Sequence, residues 1–152
     1  MRSGRVQTGF TYVALLIVVA ALGTGLAAYG ELASHAAQRE KETQLLWIGE
    51  QFRQAIGLYY QRTPGAAKQF PQTLEDLLED HRFLTRQRYL RRIYDDPFTA
   101  KPEWGLIAAP GGGIAGVHSL AEGRPVRLGE FSSAGSLSDW QFVYEPPTVS
   151  PK

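Results

Sequence analysis

Cysteine is absent from all 152 residues of the sequence. A chain without thiols cannot form a disulfide framework, a thiolate metal site or a cysteine nucleophile. These three kinds of site are therefore excluded, even for a chain that faces an oxidising compartment. We expect the folded part of the protein to be stabilised by packing instead.

The sequence also lacks a strong charge of either sign. Its formal net charge is +1 at pH 7, and Arg2 and Arg5, the only charged residues among the first nine, leave −1 for the rest of the chain. A nearly neutral surface of mixed charge gives no electrostatic basis for binding DNA or RNA. We therefore predict no nucleic-acid partner.

A third absence is that of charge from Phe10 to Tyr29, where tyrosine is the only ionisable residue type. Twenty residues that each rise about 1.5 Å make a helix of roughly 30 Å, which matches the hydrocarbon core of a bilayer. Arg2 and Arg5 precede this run, and such positive charges tend to stay on the cytoplasmic side. The sequence therefore predicts one transmembrane helix, with the rest of the chain on the outer side.

The start of the chain carries a family resemblance. Basic residues, then Gly9-Phe10-Thr11, then a long apolar helix resemble the class III leader of type IV pilins and type II secretion pseudopilins. The resemblance implies that a prepilin peptidase cleaves after Gly9 and that Phe10, the new N-terminus, is methylated. It also implies sister pseudopilin or pilin subunits and an inner-membrane assembly platform as partners. Glycine suits a scissile position because it has no side chain to obstruct the approach of the enzyme.

The same residues leave two other interpretations open. In the first, the run is an ordinary secretory signal that is cleaved near Gly25-Leu26-Ala27, although the apolar part of such signals is only about 7 to 15 residues long. In the second, the run is an uncleaved single-span anchor and the chain keeps Met1. Either interpretation describes a secreted or membrane-anchored periplasmic binding protein that does not assemble.

The sequence departs from the family pattern at Ala14, where the family usually has a glutamate four residues after the phenylalanine. In the family this glutamate pairs with the N-terminal amine of a neighbouring subunit. A buried amine without a partner is costly. This chain would bring the amine without the carboxylate, which favours a low-copy subunit at a filament end or in an initiating complex.

Small residues are frequent in the apolar run. Gly23 and Ala27 have the i, i+4 spacing that lets two helices approach closely in lipid. Together with Thr11 and Ala14, they form the predicted assembly surface of the transmembrane helix.

The helical pattern continues through residues 31–62, which contain no proline and keep apolar residues at intervals of three or four. The predicted apolar stripe consists of Leu45, Ile48, Phe52, Ile56 and Tyr59, with Leu46, Ala55 and Tyr60 at its margins. The predicted wet face consists of Arg39, Glu40, Lys41, Glu42, Glu50, Gln51 and Arg53. Pro64-Gly65 should end the helix near Thr63.

The rest of the chain predicts a short helix and several strands. Thr73 is expected to cap a helix over residues 74–80, and Asp96-Pro97 to open a turn in which Asp96 is structural and Asp95 solvated. Strands are expected at residues 104–107, 114–120, 126–128 and 140–144, with a loop over 132–138. The segments 70–74 and 89–107 resemble those that pseudopilins carry after the long helix.

The predicted fold is α+β. A long N-terminal helix, with a membrane half and an amphipathic half, packs on a small antiparallel sheet and makes a pilin-like head. Packing of the head is assigned to Phe52, Ile56, Tyr59, Trp104 and Trp140.

Chemistry-bearing residues form no recognisable constellation. His35, His81 and His118 have no metal-ligand spacing, and Ser119 has no base in recognisable relation to it. Some major pseudopilins hold calcium in a loop near their C-terminus, but Asp139 is the only carboxylate in the corresponding loop here. We predict no enzymatic activity, no metal and no cofactor.

Four segments follow from these observations. They are a leader over residues 1–9, a transmembrane and assembly helix over 10–30, a periplasmic head over 31–144 and a disordered tail over 145–152. The resemblance implies a structural subunit of an inner-membrane-anchored helical filament, embedded in lipid before assembly. Both a type II secretion system and a type IV pilus-like machine fit these features.

Overall fold

A computed structural model of the protein describes residues 7–126 and 135–147, with side chains throughout except at residues 7–10 and 23–33. Its helices are α1 (Gln7–Gln61) and two 3-10 helices, Glu75–Leu77 and Leu137–Asp139. Its strands are β1 (Gly105–Ala108), β2 (Ile114–His118) and β3 (Gln141–Val143). The chain therefore has an α+β architecture, as predicted.

The chain divides into two compact units, Met1–Gln38 and Arg39–Lys152. We describe each unit by itself. Where side chains are described, no helix is both long enough and apolar enough to cross a membrane.

The sheet is antiparallel, with strand order β1-β2-β3. Val117 in the central strand pairs with Leu106 on one side and with Phe142 on the other. The three strands lie within the predicted segments 104–107, 114–120 and 140–144, except that β1 reaches Ala108. Of the predicted strand at 126–128, Val126 has no strand structure and the other two residues lie outside the described residues.

The core of the second unit lies between the amphipathic part of α1 and one face of the sheet. The five residues of the predicted stripe are all buried, which confirms the helical periodicity as the signal for this face. The structure also buries Trp104 and Trp140, and it places Phe52 and Trp104 with their ring centroids 5.1 Å apart. One continuous hydrophobic cluster results, as expected for a small domain.

Helix α1 ends at Gln61, close to the predicted end near Thr63, and two cations bind its last carbonyl groups. Arg82 Nη2 donates to the carbonyl of Tyr59 at 3.0 Å, and Lys68 Nζ donates to that of Gln61 at 2.8 Å. The last carbonyls of a helix have no partner within the helix, and they carry partial negative charge. The two cations therefore satisfy the helix end where the chain turns away.

The predicted helix over residues 74–80 is wrong, because only Glu75–Leu77 is helical and in the 3-10 form. Thr73 is not its cap. Instead, the Asp76 carboxylate accepts from the backbone N–H groups of Gln72 and Thr73, at 2.9 and 3.0 Å. The carbonyl of Leu77 accepts from two amides of the distant segment 89–90, so a tertiary contact uses the group that an α-helix would need.

The predicted wet face is wrong at Glu42, which is 0% exposed. Its Oε1 accepts from the backbone N–H of Val126 at 2.7 Å.

The loop predicted over 132–138 also needs correction, because residues 137–139 form a 3-10 helix. Ser136 and Asp139 close a reciprocal capping box around that helix.

Candidate functional site

The part of α1 that carries the predicted assembly function is exposed on every side. We call residues 11–22 the apolar helix; all twelve are exposed and none is charged. Eight of its side chains are large and between 50 and 64% exposed, namely Tyr12, Val13, Leu15, Leu16, Ile17, Val18, Val19 and Leu22. Twelve residues make more than three helical turns, so the apolar surface goes right round the helix.

The predicted site residues are divided between this stretch and its flanks. Thr11 and Ala14 lie in the apolar helix and are exposed. Gly9, Phe10, Gly23 and Ala27 belong to α1, but their side chains lie outside the described residues. The structure therefore gives the surroundings of two of the six positions.

In the second unit, two glycines of α1 receive aromatic rings from the end of the sheet. The ring of Phe142 lies where a Cβ on Gly49 would be, and a Cβ on Gly57 would come within 2.8 Å of the Tyr144 ring. The two glycines are eight residues apart on the helix, and the two aromatics are two residues apart on the strand side. These two contacts fix the position of β3 along α1.

Asp96 and Ser119 form a buried polar pair that the sequence analysis missed. Ser119 Oγ donates to Asp96 Oδ2 at 2.5 Å, and both residues are 0% exposed. Asp96 Oδ1 also accepts from the amide of Phe98 at 2.8 Å, and Ser119 Oγ accepts from the amide of Ala121 at 3.0 Å. With its hydroxyl buried and bonded on both sides, Ser119 joins two turns. The predicted structural role of Asp96 agrees with these contacts.

A second polar cluster surrounds Arg82 near the end of α1. Its guanidinium binds the Asp80 carboxylate at 2.6 and 2.8 Å and lies 3.5 Å from the centroid of the Tyr59 ring. Burial alone would raise the pKa of Asp80, but hydrogen bonds from Arg82 and from the Tyr89 hydroxyl outweigh it and hold the pKa below its ordinary value. Burial and the bond to Asp80 raise the pKa of Tyr89. These contacts hold the loop that contains Asp80, Arg82 and Tyr89 against the end of α1.

The part of the chain that the structure describes contains no candidate metal site. It holds no group of three or more histidine, aspartate or glutamate side chains that could bind an ion. His118 Nδ1 lies 2.9 Å from the carbonyl oxygen of Ser119, its own neighbour. Asp139 is engaged in the capping box described above.

Two concave surfaces of the second unit could receive a partner. One, of about 680 Å³, lies between the end of α1 and the β1-β2 hairpin, and its aromatic walls are Tyr60, Phe70 and Tyr144. The other, of about 590 Å³, lies between α1 and the loop around Asp96-Pro97. Concave surfaces of this size are suited to binding a partner.

Comparison of the chain with models of protein families, with curated proteins and with solved structures gives no match.

Proposed function

We propose that this protein is a structural subunit, a pseudopilin or minor pilin, of a helical filament anchored in the bacterial inner membrane. In this proposal a prepilin peptidase cleaves the chain after Gly9, Phe10 is methylated, and the head faces the periplasm. The machine is a type II secretion system or a type IV pilus-like assembly. The role is structural, without catalysis or cofactor.

The observation that supports the proposal is the exposed apolar helix at residues 11–22. Burying a large apolar side chain is worth about 1.5–3 kcal/mol. Eight such side chains therefore represent a large free energy that the chain by itself does not gain. Lipid before assembly, and the helices of sister subunits after it, would both cover this surface.

A second support is the continuity of this stretch with the head within one helix, because α1 runs from Gln7 to Gln61. The C-terminal part of the same helix provides the stripe on which the sheet packs. One element thus carries both the surface that needs a partner and the core of the domain that would be displayed.

The test is the N-terminus of the mature protein, purified from the membranes of cells that make a prepilin peptidase. We expect N-terminal sequencing and mass spectrometry to find a chain that starts at Phe10 with a methylated amine. A start after Ala27 would identify a secretory signal, and an intact Met1 an uncleaved anchor. Either result would overturn the proposal in favour of a binding protein that does not assemble.

A further inference from the structure

The groove between α1 and the loop around Asp96-Pro97 has an aromatic floor. We call it the Trp47 groove; it is lined by Gln44, Trp47, Arg92, Tyr94, Asp95 and Pro97, among others. Trp47 is 54% exposed although tryptophan is the largest side chain, and the other two tryptophans of the chain are buried. Its ring meets that of Tyr94 edge-on, with 5.4 Å between the centroids. An exposed tryptophan that rests on a half-buried tyrosine in a concave surface is typical of the central anchor of an interface.

The Trp47 groove is lined by one cation, Arg92, and by the exposed carboxylate of Asp95, and a second cation, Lys41, lies outside its lining. The Arg92 guanidinium lies 5.3 Å from the centroid of Tyr94, and Lys41 Nζ lies 5.8 Å from that of Phe98. Within the described ranges, neither cation has a carboxylate at ion-pair distance. A guanidinium held over a ring keeps its in-plane N–H groups free to bind a carboxylate. An apolar side chain on the aromatic floor, followed closely by an acid that reaches Arg92, therefore fits the groove.

The chain itself carries such a pair on the segment that follows β2. Leu120 is 47% exposed and Glu122 is exposed, whereas Ala121 between them packs against the core. The alternation directs the leucine and the glutamate outward together. In the described part of the chain Glu122 has no cationic partner. Leu120 and Glu122, which we call the acidic pair, complement the aromatic floor and the Arg92 guanidinium.

The groove and the acidic pair flank one turn of the same molecule. Asp96 lines the groove, and its carboxylate accepts the Ser119 hydroxyl at 2.5 Å, one residue before Leu120. Two complementary patches on one molecule can meet reciprocally about a two-fold axis. Such a contact is closed, because each copy uses both of its patches on the same partner.

We propose that two copies of this chain pair through this surface, with Leu120 of each copy on Trp47 of the other and Glu122 on Arg92. The pairing goes beyond the filament function and does not depend on processing at Gly9. It is also self-limiting, so it is compatible with a subunit that does not form long homopolymers. A contact built from one apolar anchor and one ion pair per copy is small for a specific interface, so the pair should be weak in dilute solution.

A photo-crosslinking experiment on the full chain in detergent micelles tests the pairing. The photoreactive amino acid p-benzoylphenylalanine replaces Leu120, which keeps an apolar group at that position. Unlabelled and isotope-labelled chains are mixed before irradiation, so that peptides joined between two molecules contain both isotopic forms. The control carries the same amino acid at Leu84, which is fully exposed and does not belong to the acidic pair.

We expect mixed-isotope peptides that join position 120 to residues 44–48 or 92–100, and none of this kind from position 84. Cross-links from position 120 that fall only within one molecule, or only on other surfaces, would overturn the proposal. So would equal labelling from the two positions.

Charge reversal provides a second, independent readout. Arg92→Glu or Glu122→Arg alone should lower the yield of the mixed cross-link about tenfold, because each places like charges in contact. The chain that carries both changes should recover the yield of the parent. Thermal unfolding of each variant verifies that the fold is kept. A double variant that stays at the yield of the single ones would contradict the assigned partners, whatever the outcome of N-terminal sequencing.

Discussion

The ring of Phe142 lies directly against the backbone of Gly49, in the space that any larger residue on the helix would need for its Cβ. The contact brings β3 closer to α1 than two ordinary side chains would allow. Glycine in the middle of a helix costs about 1 kcal/mol relative to alanine. This glycine is therefore retained at a local cost in helix stability, which the packing of a buried aromatic ring offsets.

Gly49→Ala should destabilise the protein, although alanine is the better helix former. The added methyl group must displace Phe142 or bend the helix, and overpacking of this kind costs about 1–3 kcal/mol. Gly111→Ala is the control, because a Cβ there meets no atom within 4 Å. Chemical unfolding of the full chain in detergent measures both variants. If Gly49→Ala is as stable as the parent, the close approach of Phe142 is wrong.

Phe52→Asp should unfold the head. Phe52 is 0% exposed and packs on Trp104, so its replacement buries a carboxylate that has no cationic partner in the surrounding cluster. The cost is several kcal/mol, which is comparable to the whole stability of a small domain. Leu58→Asp on the exposed side of the same helix should change stability by only about 0.5 kcal/mol. Near-UV circular dichroism reports the loss of packing, and a native spectrum for Phe52→Asp would refute the assignment of the stripe.

Acid should destabilise the head through Asp80. The pKa of this carboxyl is lowered in the folded state, so its contribution is present above the unfolded value of about 3.9 and is lost as the pH falls through the lower folded value. Asp80→Asn should remove about 1–3 kcal/mol at neutral pH and flatten the acid limb of the stability curve. Asp95→Asn, at an exposed position, is the control. Denaturant unfolding between about pH 7 and pH 3 compares the three chains; an unchanged acid limb in Asp80→Asn would mean that another group governs it.

Gly9→Asp should block maturation, because the peptidase would meet a charged side chain at its scissile residue. The variant should accumulate in the inner membrane at its unprocessed mass, as seen on a gel. Gly4→Asp adds the same charge within the leader, away from the assigned cut, and should still mature. Maturation of Gly9→Asp to the mass of the parent would place the cut elsewhere.

The protein overexpressed alone with its peptidase should form no long filaments. Processing leaves a positive amine at Phe10, and Ala14 offers no carboxylate to the amine of a neighbour, so an unpaired charge would be buried at each step of a homopolymer. Ala14→Glu should relieve this block, whereas Ala20→Glu, in the same apolar helix, should not. Electron microscopy of sheared material provides the readout. Long fibres of the unmodified chain would show that another acid, with Glu31 the nearest candidate, or no acid at all, meets the amine.

The sequence alone was sufficient for helix α1 and the three strands, whereas the local signals for a helix over residues 74–80 were overruled by tertiary contacts. Helix α1 and its buried stripe follow from apolar residues at intervals of three or four, and the strands follow from short apolar segments between turn signals. The end of α1 follows from Pro64-Gly65. In each case the signal lies within a few residues, because it comes from the backbone preferences and the periodicity of the element itself.

Only the tertiary structure determined which polar groups bond to one another and where the aromatic rings pack. Glu42 was predicted to face water, yet its carboxylate is buried on the amide of Val126, 84 residues away. Three other contacts likewise join distant parts of the chain. Phe142 packs against Gly49, Ser119 bonds to Asp96, and the Trp47 ring contacts the Tyr94 ring. A glutamate, a glycine or a serine is read by default as solvated or flexible, because its burial depends on a partner that the local sequence does not contain.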